Sequence, residues 1–342
     1  MKYLPWMSVM LVVGSSLAGC SDDDADPDAG GGKGGSAAGT TSSAGSPDEP
    51  GSSGSGSSQG GSASGAGPTD GGAAGSAAMA DMDIVDTAVA AGTFTELAKA
   101  LTAAGLVDAL KGEGPFTVFA PTDDAFADFE DENPGVLAAL SKDELAAVLT
   151  YHVVAGAAVE SSALKDDQVF VTLNGSPVLV DTTGGVKVSD AEVTTADVTA
   201  SNGVIHVIDK IILPPTNDIV ETAVAAGMFE TLAGALTAAD LVTALKGDGP
   251  FTVFAPTDDA FDELDAVPAG DALKDVLLYH VVSGAIGSGD LTAGDVPTLL
   301  EGKDLTVALS GGVQINDASV TTANIIAKNG VIHVVDTVLV PE

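Results

Sequence analysis

The chain has 342 residues and a formal net charge of −37 at neutral pH, because 49 acidic residues face 12 lysines and no arginine. This length allows one to three domains. A surface this acidic, without guanidinium groups to bind phosphates, argues against nucleic acid and anionic lipid as partners.

The first 19 residues have the features of an export signal. Lys2 supplies a positive charge, and the apolar run VMLVVGSSLA after it is too short for a stable membrane span. The segment LAGC resembles the lipobox of bacterial lipoproteins and places Cys20, the only cysteine, at the lipidated position. This resemblance implies a lipid anchor on Cys20, and Ser21 favours the outer membrane or cell surface. An ordinary cleaved signal with an incidental cysteine is the alternative.

Residues 20–79 are predicted to be a disordered, acidic tether. Between Ser21 and Ala80, 17 glycines and 13 serines make up half of the segment. Such a composition buries too little apolar surface to offset the entropy of ordering the chain. As a flexible coil the segment would span roughly 40 Å, which would lift the following domains away from an anchor.

The remainder of the chain contains one sequence twice. GPFTVFAPTDDAF at Gly114 returns unchanged at Gly249, displaced by 135 residues, and NGVIHVID at Asn202 returns as NGVIHVVD at Asn329, displaced by 127. The sequence therefore predicts two homologous domains, 80–213 and 214–341, each large enough for its own core. Both are acidic, with 21 acidic residues against 6 lysines in 83–213 and 19 against 4 in 214–342.

Each repeat is predicted to begin with helices and to end with strands. In the first repeat, apolar residues recur at three- and four-residue steps after Ile84, and Gly92 and Gly105 mark breaks between short helices. FTVFAPT follows as a buried strand, and Thr122 caps a helix that carries Asp123 and Asp124 in its first turn. QVFVTLNG, PVLVDTTGGVKVSD and NGVIHVIDKIILP are predicted strands. Helices before strands, without alternation, indicate an α+β fold.

With these motifs in order, the chain resembles two tandem fasciclin domains. TVFAPTDDAF is similar to the first family signature, NGVIHVID to the second, and the Tyr-His pair between them to the central dipeptide. The resemblance implies a wedge-shaped β-sheet with packed short helices in each domain. It also implies an extracellular or surface protein that acts in adhesion, with a protein, matrix or glycan ligand and no cofactor.

The family resemblance also implies candidate binding residues. In animal members, integrin binding is attributed to the Tyr-His region and to an Asp-Ile element before the second signature. The second copy has Asn where the first has Asp, and so it lacks the carboxylate that a metal-dependent receptor would coordinate. The matching positions in this chain are Tyr151, His152, Asp197 and Val198 in the first copy, and Tyr279, His280, Asn324 and Ile325 in the second.

The histidine register favours a structural role over a catalytic one. His152 extends an apolar helical stripe formed by Leu145, Val148 and Leu149, and His280 extends the matching stripe. Both are predicted to face the core at a helix end, where an imidazole can meet free carbonyls. This leaves Tyr151 and Tyr279 as candidate surface contacts. His206 and His333 lie within predicted strands, where hydrogen-bonded core histidines are expected, and no ligand spacing supports a zinc site.

Three classes of function remain open. The sequence favours an adhesion or macromolecule-binding protein, since neither repeat contains a nucleophile elbow, an HExxH helix or a phosphate loop. Asp123 and Asp124, like Asp258 and Asp259, suit a helix N-terminus better than a pair of catalytic acids. A carbohydrate-binding envelope protein is the first alternative. An enzyme that uses a cleft near His152 or His280 is the second.

Overall fold

The computed structural model describes residues 81–264 and 266–341. The predictions for the export signal, Cys20 and the tether lie outside these residues. Within the described part, no helix has the length and apolar character needed to cross a membrane. Two domains of the same architecture are present, each with a seven-stranded sheet and several short helices, which confirms the predicted α+β class.

Domain 1 runs from α1 to β7. Its helices are α1 (Ile84–Ala91), α2 (Thr95–Ala104), α3 (Val107–Leu110), α4 (Asp123–Glu132), α5 (Val136–Ala139) and α6 (Lys142–Tyr151). Its strands are β1 (Phe116–Pro121), β2 (Val153–Ala155), β3 (Gln168–Val171), β4 (Pro177–Asp181), β5 (Lys187–Val188), β6 (Ala191–Ala200) and β7 (Gly203–Ile208). A 3₁₀ turn at Ser161–Ala163 lies between β2 and β3.

Domain 2 runs from α7 to β14 and repeats this order. Its helices are α7 (Ile219–Ala226), α8 (Glu230–Ala238), α9 (Val242–Leu245), α10 (Asp258–Asp262) and α11 (Asp271–Tyr279). Its strands are β8 (Phe251–Pro256), β9 (Val281–Ser283), β10 (Gly294–Pro297), β11 (Asp304–Ala308), β12 (Gln314–Ile315), β13 (Ala318–Ala327) and β14 (Gly330–Val335).

The two signature motifs lie side by side at the centre of each sheet. In domain 1 the strand order is β2-β1-β7-β6-β5-β4-β3, and β1 pairs parallel with β7, so that Phe119 is opposite His206. All other pairings in this sheet are antiparallel. The sheet of domain 2 has the equivalent arrangement, with β8 parallel to β14. The two motifs that identify the repeat are thus the paired central strands.

Each domain contains two apolar clusters, one on either side of its central strands. In domain 1, Val118 and Ala120 of β1 contact the helices, whereas Phe119 between them belongs to a second cluster with Tyr151 and Ile208. Such alternation is the period-two pattern of a strand that is buried on both faces. The clusters of domain 2 are equivalent, and each of the four clusters draws its residues from one domain only.

The helix boundaries confirm the predicted signals. Gly92 and Gly105 follow α1 and α2 in the left-handed conformation, and the Thr122 side chain caps α4 by accepting from the N–H of Ala125 at 3.2 Å. Asp123 caps a different helix from the one it begins, because its Oδ1 accepts from the Glu96 N–H of α2 at 2.8 Å. Asp258 accepts in the same way from Glu230 and Thr231 of α8. Asp123 and Asp258 therefore each accept hydrogen bonds from the backbone of a neighbouring helix.

Two strands lie outside the predicted set. β2 has three residues directly after α6, and β6, with the sequence AEVTTADVTA, is rich in Thr and Ala instead of large apolar residues. The turn between β6 and β7 also differs in detail from the expected Asn-Gly turn. Ser201 and Asn202 form the two-residue loop, and Gly203 already pairs with Ala200.

Candidate binding surface

The Tyr-His pair lies at the end of α6, and its histidine is fully engaged with the backbone. His152 is 2% exposed. Its Nδ1 lies 2.8 Å from the carbonyl oxygen of Val148, and its Nε2 accepts a hydrogen bond from the Ile212 N–H at 3.2 Å. Only the neutral ring protonated at Nδ1 satisfies both contacts. His280 repeats this arrangement with Val276 O at 2.7 Å and Leu339 N at 3.0 Å.

The electrostatics of both rings agree with the neutral form. Burial lowers the pKa of His152 to about 4, and the hydrogen bond to Val148 only partly opposes this shift. The pKa of His280 is lowered to about 4 for the same reason, with Val276 as the opposing partner. The predicted core-facing orientation at a helix end is confirmed for both histidines.

Tyr151 and Tyr279 are buried, so the expectation that they are available as surface contacts is wrong. Tyr151 is 2% and Tyr279 6% exposed. The Tyr151 hydroxyl donates to the Pro177 carbonyl at 3.0 Å, and desolvation raises the pKa of Tyr151 to about 12. The physical reason is that the end of α6 lies between two apolar clusters. Val148 and Leu149 pack in the cluster formed with the helices, and Tyr151 packs in the second cluster, on the other side of the sheet.

The Asp197 and Asn324 positions are bulges in β6 and β13. Asp197 has φ 60° and Asn324 has φ 59°, a left-handed conformation that Asp and Asn adopt more readily than most other residues. The Asp197 N–H donates to Nδ1 of His206 at 3.4 Å, and Nε2 of His206 lies 2.8 Å from Val159 O. His333 bonds to Asn324 and Ile286 in the same way. The expectation that His206 and His333 are hydrogen-bonded in the core is confirmed.

Asp197 is exposed and binds the loop between β2 and β3. Its carboxylate accepts from the Ser161 N–H at 2.6 Å and from the Ser161 hydroxyl at 2.5 Å. The Ser161 hydroxyl is the main cause that lowers the pKa of Asp197. Glu160 and Ser162 flank this contact and are exposed. We refer to Glu160, Ser161, Ser162 and Asp197 as the Asp197 surface.

The equivalent position of domain 2 is linked to domain 1 through Ser288. Oδ1 of Asn324 accepts from the Ser288 N–H at 2.8 Å, and its Nδ2 donates to the Ser288 hydroxyl oxygen at 2.8 Å. That hydroxyl donates in turn to the Asp167 carboxylate of domain 1 at 3.0 Å. Of two homologous surfaces, one is therefore exposed and the other lies at the contact between the domains.

The remaining predicted residues lie near these bulges but face inward. Val198 and Ile325 are half-buried and pack against the helical clusters of their domains. The Tyr-His pair and the Asp197 position form separate networks, because His152 bonds to Val148 and Ile212 whereas Asp197 bonds to Ser161 and His206. Across residues 81–264 and 266–341, no three His, Asp or Glu side chains are grouped so that they could hold a metal ion.

Comparison with known proteins places both repeats in one family. The model of the fasciclin domain matches residues 92–214 and 227–341, which together make up more than half of the chain. The chain belongs to the fasciclin-domain family. Both domains therefore carry the signatures of that family on their paired central strands, as the sequence motifs predict.

Relatives of the fasciclin-domain chain occur in animals and bacteria. The pig transforming growth factor-beta-induced protein ig-h3 (Sus scrofa) is 34% identical over 244 residues, which cover 68% of this chain and 36% of that protein. Protein sll1483 of Synechocystis sp. is 47% identical over 135 residues, 39% of this chain and 74% of that protein. The chain thus spans about a third of the length of the animal relative.

One solved structure is a FAS1 domain pair from the insect cell adhesion molecule fasciclin I. It aligns with 72% of this chain and 97% of its own length, at 18% sequence identity and a TM-score of 0.33.

Sequence reasoning missed three groups of residues in the fasciclin domains. Ser161 and Ser288, which bind the bulges, carry no distinctive pattern in a loop sequence. Asp167 and Asp290 contact the other domain, and a contact between domains leaves no periodic pattern. Asn202 bridges three backbone groups, since its side chain accepts from Ile84 N and donates to Leu110 O and Gly112 O. For the contact between the domains, the sequence does contain one indication: Gly287-Ser288-Gly289 in the second copy stands where the first has Glu160-Ser161-Ser162.

Proposed function

We propose that this chain is an envelope-anchored lipoprotein that binds an extracellular macromolecule, and so mediates adhesion, through its two fasciclin domains. The observation that carries the proposal is the state of the four histidines. Each of them uses both ring nitrogens on backbone groups, so the family motifs build the fold and leave the outer surfaces for recognition.

The proposed anchor rests on the sequence of the first 80 residues. The lipobox-like LAGC supplies Cys20, and the Gly/Ser-rich tether after it provides reach from a membrane. A multiply acylated terminus gives stable membrane attachment, whereas one chain would not. Labelling cells with a fatty-acid analogue tests this step: the wild-type chain should be labelled and a Cys20→Ser variant should not. Labelling that survives the substitution would contradict a lipid on Cys20.

Asp197 is the exposed member of the predicted binding set, and the Asp197 surface around it is the part that a partner can reach. Tyr151, His152, Tyr279 and His280 are buried, and Asn324 lies at the contact between the domains. Asp197 is exposed, and the hydrogen bonds from Ser161 keep its carboxylate oriented and ionised. With Glu160 beside it, this surface favours a partner that presents lysine, arginine or other cationic groups.

The carbohydrate and enzyme alternatives lack comparable support in the described residues. Sugar sites commonly use exposed aromatic rings, yet none of the phenylalanines or tyrosines among residues 81–264 and 266–341 is exposed. The cavity beside His280 has a volume of about 20 Å³. Such a space can hold one water molecule but no substrate.

Photo-crosslinking on intact cells tests the proposed contact. A photoreactive residue at Ser162, in the Asp197 surface, should capture a macromolecular partner, and an Asp197→Asn substitution in the same chain should reduce the yield severalfold. Asp128→Asn is the matched control, because it removes the same charge from an exposed position on α4. Equal yields from the Asp197 and Asp128 variants would contradict a role for this surface.

A further inference from the structure

The contact between the two domains includes a short loop and the edge of a sheet, and β13 of domain 2 also lies close to β4 of domain 1. The loop follows β9 in domain 2 and has the sequence Gly287-Ser288-Gly289-Asp290. The edge is β3 of domain 1, the last strand of its sheet, together with Asp166 and Asp167 before it. We call these two segments the clasp. An edge strand has unpaired backbone groups, so the clasp covers a surface that could otherwise pair with other chains.

The hydrogen bonds of the clasp run in both directions. Domain 2 donates to domain 1 from the Gly289 N–H to Asp167 O at 3.1 Å and from the Ser288 hydroxyl to Asp167 Oδ2 at 3.0 Å. Domain 1 donates to domain 2 from the Val169 N–H to Asp290 Oδ2 at 3.1 Å. Each domain thus contributes one carboxylate, and each carboxylate meets a donor of the other domain. Two acidic domains can approach here because the contact pairs acceptors with donors.

The close approach requires glycine on the domain 2 side. A Cβ atom at Gly287 would lie 2.4 Å from Asp167 O, and one at Gly289 would lie 1.8 Å from Asp166 O. Both distances are far below van der Waals contact with backbone atoms. The homologous positions of domain 1, displaced by 127 residues, are Glu160 and Ser162, which are exposed. The loop of domain 1 therefore cannot accept a strand edge at the same distance.

The residue at the bulge position determines which group the serine hydroxyl donates its hydrogen bond to. A hydroxyl has one proton to donate. In domain 2, the Asn324 amide donates to the Ser288 oxygen, which leaves the Ser288 proton for Asp167. In domain 1, the Asp197 carboxylate has no proton to donate, and it accepts the proton of Ser161 instead. An incoming carboxylate at Ser161 would meet only lone pairs and the negative charge of Asp197.

We propose that the Asn324–Ser288 pair is a docking site for the carboxylate of Asp167, and that Asn instead of Asp at position 324 is what permits this contact. Because of this difference, the two domains have unequal roles at their contact. Domain 2 accepts the acidic edge of domain 1, whereas domain 1 repels such an edge by charge and by the side chains of Glu160 and Ser162. The clasp therefore forms with the loop of domain 2 on the edge of domain 1 and not the reverse, and the Asp197 surface stays exposed.

Amide hydrogen exchange on the full chain tests this role of Asn324 in the clasp. The amides of Gly289 and Val169 donate across the clasp, so their exchange reports its opening. An Asn324→Asp variant places two carboxylates around one serine proton, and exchange at both amides should be faster by on the order of tenfold. The variant should fold, because domain 1 already carries Asp in this left-handed position.

A second substitution distinguishes the loss of the hydrogen bond to residue 167 from a general loss of structure in the variant. In the double variant Asn324→Asp with Asp167→Asn, the new amide at position 167 can donate to Ser288 while Ser288 donates to the new carboxylate at position 324. Exchange should then return to near the wild-type rate. Asp167→Asn alone should speed exchange less than Asn324→Asp does, since its amide oxygen still accepts from Ser288 but carries no negative charge. Asp197→Asn, the reverse change in domain 1, should leave both amides unchanged.

The proposal is overturned by any of three results. Exchange at Gly289 and Val169 could stay at the wild-type rate in Asn324→Asp. The double variant could remain as fast as Asn324→Asp, which would mean that the loosening does not come from the missing proton. The Asp197→Asn variant could speed exchange at these amides as much as Asn324→Asp does, which would mean that the effect is not specific to the clasp.

Discussion

Nε2 of His152 accepts a hydrogen bond from the backbone N–H of Ile212 at 3.2 Å, across 60 residues of sequence. The bond joins the end of α6 to the segment that follows β7. His280 and Leu339 make the same connection in domain 2, at 3.0 Å. Because Nδ1 of each ring donates to a carbonyl of its own helix, each imidazole links two elements only in its neutral form.

The stability of both domains should fall when the pH drops from about 6.5 to about 4. The pKa of His152 and of His280 is about 4 in the folded chain, against about 6.5 unfolded, so the unfolded state binds more protons between these values. The stabilisation is complete above pH 6.5 and is lost as the pH falls toward 4. Each histidine should contribute a loss of roughly 3 kcal/mol over that window.

Urea unfolding at pH 7, 5.5 and 4.5 measures this dependence, with hydrogen exchange used to read each domain separately. The depressed pKa of Asp197 places its contribution below the histidine window, because an acid with a lowered pKa loses its stabilisation only at lower pH. Equal unfolding free energies at pH 7 and 4.5 would mean that the histidines are not buried as neutral groups.

Replacing His152 by Ala should destabilise domain 1 by about 3 kcal/mol. The substitution leaves the Ile212 N–H without its acceptor inside the core and opens a cavity. His280→Ala should have a similar effect on domain 2 through Leu339. The pH dependence of the altered domain should also become shallower, because its titrating group is gone. A variant of normal stability that has lost partner binding would instead support a direct role in recognition.

Replacing Tyr151 by Phe should lower stability by about 1 kcal/mol and leave partner binding unchanged. The hydroxyl makes a buried hydrogen bond to Pro177 O, and its removal leaves that carbonyl without this donor. Tyr279→Phe should lower the stability of domain 2 in the same way, since the Tyr279 hydroxyl donates to Asp304 O at 2.9 Å and accepts from Asn316 Nδ2 at 3.0 Å. Chemical unfolding of both variants gives the comparison. A loss of binding at full stability would restore the tyrosines as contact residues.

The sequence predicts the parts of this fold that depend on local periodicity. His152 follows an apolar helical stripe, and β1 is a continuous apolar run, so the predictions for both are confirmed. β6 escapes prediction because its Thr- and Ala-rich sequence is interrupted by the bulge at Asp197, which breaks the period-two pattern. The prediction for Tyr151 is wrong because the end of α6 packs against apolar clusters on two sides. The apolar periodicity of the helix indicates only the larger of these two buried faces.

The candidate surface is predictable only in part, for a related reason. The family motif points to Asp197, and the comparison of the two copies reveals Asn324 at the equivalent place. Their partners Ser161, Asp167 and Ser288 come from loops and from the other domain, where no spacing rule connects them. A contact between elements far apart in sequence follows from the assembled fold alone.

Asn202→Ala should destabilise domain 1 by about 3 kcal/mol, because the side chain makes three hydrogen bonds to backbone groups at 2.8 to 3.0 Å. One of these groups is the carbonyl of Leu110 at the end of α3, one is the carbonyl of Gly112 in the loop before β1, and the third is the first N–H of α1. Asn133→Ala is a suitable control, since the Asn133 side chain donates to Phe129 O in the last turns of α4, the helix directly before it. Thermal or urea unfolding measures both variants. Equal losses would contradict the linking role of Asn202.

The attachment of cells that carry the anchored chain with residues 81–341 deleted tests whether the fasciclin domains mediate adhesion. If the fasciclin domains bind an extracellular macromolecule, attachment and aggregation should fall to the level of cells that lack the protein, while the shortened lipoprotein remains in the envelope. Restoring the full chain should restore attachment, and the His152→Ala chain should do so only to the extent that it folds. Unchanged attachment after the deletion would contradict the proposed function.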